Sequence, residues 1–517
     1  MNHDYDKAWR EIDSLEQQGL PKPALAKTES LLAIAKAENA QPQIIKCLIY
    51  KEKYQSQLEE DGFIKAIEDL KKETKEAPYP TRNILQSMLA ELYSSYLDNN
   101  YWDFKDRTQT LDFDNDDLRT WTIEQLTAEA SRLYLASIDG DRLKSVPTGE
   151  FGILLSQGEN SAGLRPTLFD FLANRAIDYF SNERTYLTQP AYKFEIDNPI
   201  AFAPVEDFTG WKIETKDTNS LKRRTLELMQ ELLRFRNLEK TERPAALLTA
   251  NLQRLHFVFN NAVMSEKDSL YVSALERLQK VFDGYPAVAE VYRQLAQYYQ
   301  SAGSSYQPAP LGVPEPADSK KWFLKKAKLL CDSAIEKFPK SYGARRCAAL
   351  KARIERTTLH METEEVNLPE QPFLAKLEYR NLTRVWLKII RFDEKRRDHF
   401  EGLQRSGDND ENTQYINGLP AIKTWSVTLP DDGDFHQHSV EISVAGLPLG
   451  QYLFMVSENE DFSRSKGAVG YLFTHVSNIG LWERQGGPEG TTFVTFDRQS
   501  GTPIEGLKAE IWVRKYN

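Results

Sequence analysis

Near Glu365 the spacing of apolar residues changes from three-and-four to two, and no single regular architecture accommodates both patterns. From Tyr5 to about Thr363 the pattern is helical. Leu85, Met88, Leu89, Leu92, Tyr93 and Tyr96 mark one face, and Leu226, Met229, Leu232 and Leu233 another. Thr122, three residues before Gln125, reads as a capping box, and Pro21, Pro78, Pro80 and Pro286 fall between the runs, which predicts many short helices. Beyond the switch Ala375, Leu377 and Tyr379 alternate with Lys376, Glu378 and Arg380, and Val385, Leu387 and Ile389 alternate with Trp386 and Lys388. That period belongs to half-buried strands. More strands are expected at Lys423–Leu429, Ser439–Val444, Gln451–Ser457 and Val469–Phe473, with the turn spacing of a β-sandwich. A chain of 517 residues exceeds one hydrophobic core, so a multidomain molecule is expected, all-α over 1–365 and an all-β sandwich over 366–485. Gly486-Gly487-Pro488-Glu489-Gly490 then breaks the chain. The segment 491–517 holds only a hairpin, Thr492–Phe496 with Leu507–Arg514, too little for a domain, so the chain is expected to stop inside a longer protein.

Within the helical part, Tyr292-x-x-Leu295-Ala296-x-x-Tyr299 has the spacing of the first helix of a tetratricopeptide repeat, and Ala327-x-x-x-Cys331-x-x-Ala334-x-x-x-x-Pro339 that of the second. Leu252-x-x-Leu255-x-x-x-Phe259 and Ala274-x-x-x-Leu278-x-x-Val281-x-x-x-x-Pro286 repeat the pair upstream. The expectation is a TPR-like solenoid whose clearest repeats are 252–286 and 292–339. Ser301–Ser319 interrupts the second repeat with Pro308, Pro310, Pro314 and Pro316, and is expected to be mobile and dispensable to the fold.

The formal charge of −10 gives no basic footprint for nucleic acid. No run reaches the roughly 18 apolar residues of a membrane span, and Met1–Trp9 is too polar for a signal core. Cys47, Cys331 and Cys347 are too few for a disulfide framework and read as buried small hydrophobes. No nucleophile elbow, zinc helix, phosphate loop or dinucleotide fingerprint occurs, so no catalytic or cofactor residue is nominated and no enzyme is expected. Asp112-x-Asp114-x-Asp116 and Asp408-x-Asp410-x-Asn412 begin like calcium loops, but Asp117 and Thr413 stand where the loop needs Gly, and Ile123 and Leu419 where it needs Glu. Solvated loops are expected at both. His436 and His438, with Asp434 nearby, would share a strand face, yet no third His or Cys accompanies them, so no metal is expected. Trp102, Trp121 and Trp211 are read as packing aromatics.

The order of parts resembles the large bacterial alpha-2-macroglobulin family proteins of the Bacteroidetes type, in which a long helical N-terminal region precedes macroglobulin-like domains. Phe373–Phe392 resembles the opening strand pair of such a domain. Leu447-Pro448-Leu449-Gly450-Gln451-Tyr452-Leu453 resembles the family's Leu-Pro-x-Gly-x-Tyr turn. Asp497-Arg498-Gln499-Ser500-Gly501-Thr502-Pro503-Ile504-x-Gly506 resembles the hairpin that opens the next domain. Asp13–Pro21, Asp114–Trp121 and Leu164–Leu172 look like its helical region. The resemblance implies the scaffold of a protease trap, with proteases engaged through the full-length protein and other protein domains as partners. It also implies a periplasmic, extracellular or envelope-associated location, with any signal or lipoprotein anchor absent from this chain. The family's Cys-Gly-Glu-Gln thioester matches none of the three cysteines, so neither it nor a bait segment is carried over. A free-standing repeat adaptor with an immunoglobulin-like tail, binding a peptide in its groove, is the alternative.

Overall fold

The computed structural model describes residues 4–510 apart from 59–60, 105–116, 157, 162, 183–191, 311, 406–408, 487–489 and 509. Two compact units divide the chain, Met1–Val291 and Tyr292–Asn517. The division falls in the first turn of a helix rather than at the helix-to-strand switch near 365.

The first unit is helical. It runs through α1 (Tyr5–Gln17), α2 (Pro21–Ala37), α3 (Gln41–Leu58), α4 (Gly62–Glu76), α5 (Thr81–Asn99), α6 (Tyr101–Phe104), α7 (Ile123–Ser137), α8 (Leu168–Ser181), α9 (Val205–Gly210), α10 (Leu221–Leu238), α11 (Pro244–Asn261) and α12 (Lys267–Val281). Among the described residues no helix is long and apolar enough to cross a membrane. The capping box read at Thr122 starts α7: the Thr122 N–H donates to Gln125 Oε1 at 2.9 Å, and the Gln125 N–H to Thr122 Oγ1 at 3.3 Å. Thr167 and Asp170 start α8 with the same device. The faces expected on α5 and α10 are buried apart from half-buried Met88, and helices close in sequence pair, α2 with α3 and, past the short α6, α5 with α7. In the upstream repeat pattern Ala274 and Leu278 are buried, whereas Val281 is 66% exposed and Phe282 takes the inward position.

The second unit opens with α13 (Ala289–Gly303), α14 (Phe323–Lys337) and α15 (Tyr342–Glu355). Tyr292, Leu295, Ala296, Tyr299, Ala327, Cys331 and Ala334 are all buried, as the repeat spacing requires. Strands begin earlier than expected, with β1 (Thr358–Thr363) and β2 (Val366–Asn367), followed by β3 (Phe373–Arg380), β4 (Arg384–Arg391), β5 (Ala421–Thr428), β6 (His438–Val444), β7 (Gly450–Ser457) and β8 (Val469–Val476). One sheet has the order β1-β3-β6, the other β2-β8-β7-β4-β5. Their inner faces share one core, in which Met361, Leu377 and Tyr379 of the first meet Leu387, Phe454 and Val456 of the second.

The outer face of the five-stranded sheet is also covered, by α16 (Glu394–Gln404) and α17 (Asn409–Asn417), whose Phe400 and Ile416 pack on Ile390, Leu453 and Met455. β7 is therefore buried on both sides, which is why Tyr452–Val456 runs apolar without alternating.

The expected break at Gly486–Gly490 is a correction. β9 (Ile479–Gly486) and β10 (Gly490–Asp497) pair antiparallel across it as a hairpin with its own two-stranded sheet. β9 thus belongs with β10 and not with the domain expected to end at 485. Of the strand expected at Leu507–Arg514, Leu507, Lys508 and Glu510 are not in a strand, and the remainder lies outside the described residues.

Candidate functional site

The first unit contains a cleft of about 620 Å³ between the C-terminal end of α7 and the middle of α10. Its floor is the turn that follows α7. Gly140 adopts φ +114°, a value L-residues avoid, and the chain reverses there into a 3₁₀ turn at Asp141–Ser145 anchored by buried Leu143. Asn83 of α5, itself buried, fixes the turn by donating from Nδ2 to the Ser137 and Asp139 carbonyls at 3.2 Å each. The backbone that presents Asp139 and Asp141 is thus held from below.

Apolar wall comes from Leu135, Ala136, Ile138 and Leu228. Charge comes from Asp139, Asp141, Glu227 and Glu231 against Lys144 and Arg224, leaving two carboxylates in excess. Lys144 Nζ lies 2.7 Å from Asp141 Oδ1, and Arg224 Nη1 lies 3.0 Å from Glu227 Oε2. Burial pushes the Glu231 carboxyl above its ordinary value, with Lys144 and Arg234 opposing and Asp141 and Asp139 adding to the rise. An aliphatic wall ending in surplus carboxylate fits a cationic side chain with an apolar stem. Among the described residues no His, Cys or Ser lines the cleft. Sequence reading did not find it, because its acids come from segments about ninety residues apart and form no local spacing.

The histidines singled out in the sequence do come together, at the edge of the three-stranded sheet. Asp434, 1% exposed, accepts the His436 backbone N–H at 2.9 Å and pairs through Oδ1 with His438 Nε2 at 2.9 Å. His436 donates from Nε2 to the Lys321 carbonyl at 2.9 Å. Each ring thus commits its Nε2 to a protein partner. Among the described residues no group of three His, Cys, Asp or Glu is arranged to hold a metal ion.

The insert expected to be mobile meets the same loop. The Tyr306 ring packs on His436 with centroids 4.7 Å apart, and its hydroxyl bonds Glu315. Ser319 Oγ donates to Glu315 at 2.7 Å, and Lys321 Nζ reaches Asp432 Oδ2 at 2.7 Å. Ser301–Ser319 thus touches the loop before β6 through Tyr306, and Lys321, two residues beyond the insert, holds the same loop.

The remaining candidates scatter. Asp410 and Asn412 begin α17 rather than a loop, while Asp408 and Asp112, Asp114 and Asp116 lie outside the described residues. Trp121 stacks on Tyr93 at 5.6 Å and Trp211 lies 6.4 Å from Phe208, both packing roles, but Trp102 is 76% exposed. All three cysteines are buried and none is in a disulfide.

The two turns read as motifs have defined bonding. The Tyr452 hydroxyl donates back to the Pro448 carbonyl at 2.6 Å, fixing the entry into β7. Asp497 Oδ1 accepts from the Gln499 and Ser500 N–H groups at 3.0 and 2.8 Å, and Gly501 follows at φ +68°.

No protein-family model matches the chain, and no curated protein matches it by sequence. Among solved structures, native alpha-2-macroglobulin from Escherichia coli, in a crystal structure spanning domains MG0-NIE-MG1, is similar at a TM-score of 0.22 and 12% identity. The likeness covers 28% of this chain and 47% of that one, so this chain spans about half of that structure's length, and at that score it fixes neither fold nor function here.

Proposed function

We propose that this chain is a non-catalytic scaffold of an alpha-2-macroglobulin-like protease trap of the bacterial envelope, its helices forming TPR-like repeats and its two facing sheets a macroglobulin-like sandwich. The observation that carries the reading is the Asp497 turn. In the sequence Asp-x-x-Ser-Gly-x-Pro, the carboxylate collects two backbone N–H groups, Gly501 takes the left-handed conformation, and Thr502 returns its carbonyl to the Asp497 N–H at 2.8 Å. Asp497, Ser500, whose Oγ donates to Asp497 Oδ1 at 2.9 Å, and Gly501 thus each have a bond or dihedral that favours that residue type. The Tyr452–Pro448 bond supports the reading in the same way at the entry to β7.

In this reading the chain supplies rigid surfaces, and capture belongs to the full-length protein. The test is that full-length gene product mixed with an endoprotease. A trap shields large protein substrates while a small peptide substrate is still hydrolysed. Equal cleavage of both, as by free protease, overturns the reading.

The adaptor alternative is favoured by one observation, the acidic cleft of the first unit. A peptide carrying Lys or Arg would then bind the chain, and Asp139→Asn with Glu231→Gln would abolish the binding. A peptide that binds the double variant as tightly as the parent removes that reading.

A further inference from the structure

α14 and α15 form an antiparallel pair whose shared seam contains two thiols. α14 turns Ala327, Cys331 and Ala334 inward, and α15 turns Ala344, Cys347 and Leu350, all of them buried. The stagger is set on the flank of the seam, where Lys351 Nζ lies 2.6 Å from Asp332 Oδ1 and Lys328 Nζ 3.3 Å from Glu355 Oε1. Small side chains at the seam bring the backbones close, and Cys331 and Cys347, each eight residues from Pro339 in the connecting turn, stand at the same level on the two facing buried stripes. The sulfurs are therefore neighbours before any oxidation takes place.

Cys47, in the first unit, provides the contrast. Burial pushes its thiol up to about 12, which leaves almost no thiolate at neutral pH. The Cys331 thiol is instead held below its ordinary value, chiefly by the hydrogen bond from Cys347, with Lys351 assisting and burial, Asp332 and Glu355 opposing.

We propose that Cys331 and Cys347 are a redox pair that closes into a disulfide bracing α14 against α15 when the chain meets a disulfide oxidant. The Cys331 thiolate attacks one sulfur of the oxidant, its S–S bond breaks, and one thiol leaves. The Cys347 thiolate then attacks the mixed disulfide at Cys331 and expels the second thiol. Two protein thiols lose two electrons and two protons, and the oxidant's disulfide becomes two thiols. Neither sulfur is exposed, so the reaction waits on local opening of the hairpin and is slow. The brace would act on the β region as well, because Arg380 Nη2 donates to the Arg353 carbonyl at 2.7 Å and Asn381 Nδ2 to the Ile354 carbonyl at 2.9 Å at the end of α15.

The test uses the full chain, both wild type and Cys47→Ser, incubated with oxidised glutathione, then denatured and alkylated. The expected product has lost two hydrogens, about 2 Da, takes up no alkylating agent at Cys331 or Cys347, and yields one cross-linked peptide that dithiothreitol separates. Its thermal midpoint should lie a few degrees above that of the reduced chain. Cys331→Ser should leave Cys347 alkylatable or glutathionylated. Two alkylatable thiols after prolonged oxidation, or glutathione on each sulfur with no internal bond, would overturn the proposal.

Discussion

Replacing Arg236 by Met should destabilise the first unit more than most single substitutions, and the reason lies in its partner. Asp170 and Arg236 are 2% and 1% exposed, with Oδ1 and Nε 3.0 Å apart. Burial raises the Asp170 carboxyl against the opposing pull of Arg236 and of the Thr167 bonds, and burial also lowers Arg236. Both directions say that desolvation outweighs the attraction, so the pair adds little over apolar residues of the same shape. Breaking it is another matter, because Met leaves a buried carboxylate with only the Thr167 N–H and Oγ1 donors at 2.9 and 2.8 Å. The expected cost is about 3–5 kcal/mol. Glu239, the guanidinium's other partner at 2.8 Å, is more exposed, and its share is under about 1 kcal/mol. Asp170→Asn in the Arg236→Met background removes the stranded charge while its amide oxygen still serves the Thr167 cap, so most of the loss should return, leaving about 1–2 kcal/mol. The sign with pH is fixed too. A carboxyl raised by folding binds its proton more tightly in the native state, so stability falls as pH rises through the folded value, and Arg236→Met should approach the parent in mild acid. Urea unfolding followed by far-ultraviolet circular dichroism at neutral and acid pH measures all of this. If Arg236→Met stays within about 1 kcal/mol of the parent at neutral pH, or if the second substitution restores nothing, the buried-charge argument is wrong.

Glu52→Gln should stabilise the chain at neutral pH by up to about 3 kcal/mol, since burial, with Glu91 adding to it, raises Glu52 to about 7, and the gain should vanish below pH ~4.5, where the native carboxyl is already protonated. His436 faces Asp434, His438, Arg380, Tyr306 and the Lys321 carbonyl, and burial chiefly holds it below its ordinary value. Because its folded value is depressed, the contribution of the neutral ring is present above about pH 6.5 and lost below, so limited proteolysis within Ser301–Ser319 should accelerate as pH falls towards about 5; a cleavage rate indifferent to pH would contradict the tie. Gly446→Ala should cost roughly 1–3 kcal/mol in thermal or urea melts, because its Cβ would sit 2.4 Å from the Glu370 carbonyl carbon, a backbone atom with little room to yield.

Periodicity found the elements that bury one face and missed those that do not. The strands β3, β4, β6 and β7 stand within two residues of their expected bounds, because alternation reports a half-buried pleat directly. α16 and α17 went unread because each is held by little more than one buried apolar side chain, Phe400 or Ile416, in otherwise polar sequence. β9 was hidden for a different reason. Its Leu481 and Trp482 are exposed on opposite faces of a two-stranded ribbon, so no buried stripe marks it, and Gly486 and Gly490, read as part of a break, are paired ends of β9 and β10. Of the site, the nearness of Asp434 to His438 was legible, but His436 precedes β6 instead of sharing its face and only its backbone N–H meets Asp434. The carbonyl of Lys321 that takes the His436 proton was not legible, since it arrives from more than a hundred residues away.

The division at Val291 follows from the same physics. Periodicity reports what a segment is, whereas a compact unit is defined by which surfaces exclude water together. α14 and α15 are helices, yet three sets of bonds commit them to the strands that follow. Arg380 at the end of β3 and Asn381 in the turn after it satisfy the last carbonyls of α15, groups that a helix cannot pair internally. Lys321 holds the Asp432 loop and, through its carbonyl, His436. β1 then leaves α15 after two residues and pairs with β3 along its whole length, Thr358 opposite Arg380 through Thr363 opposite Ala375. A cut at residue 365 would strip β1 from an inner sheet, expose Leu377 and Tyr379 of the shared core, and leave the end of α15 uncapped, so the change of pattern at Glu365 lies inside a folding unit and not between two.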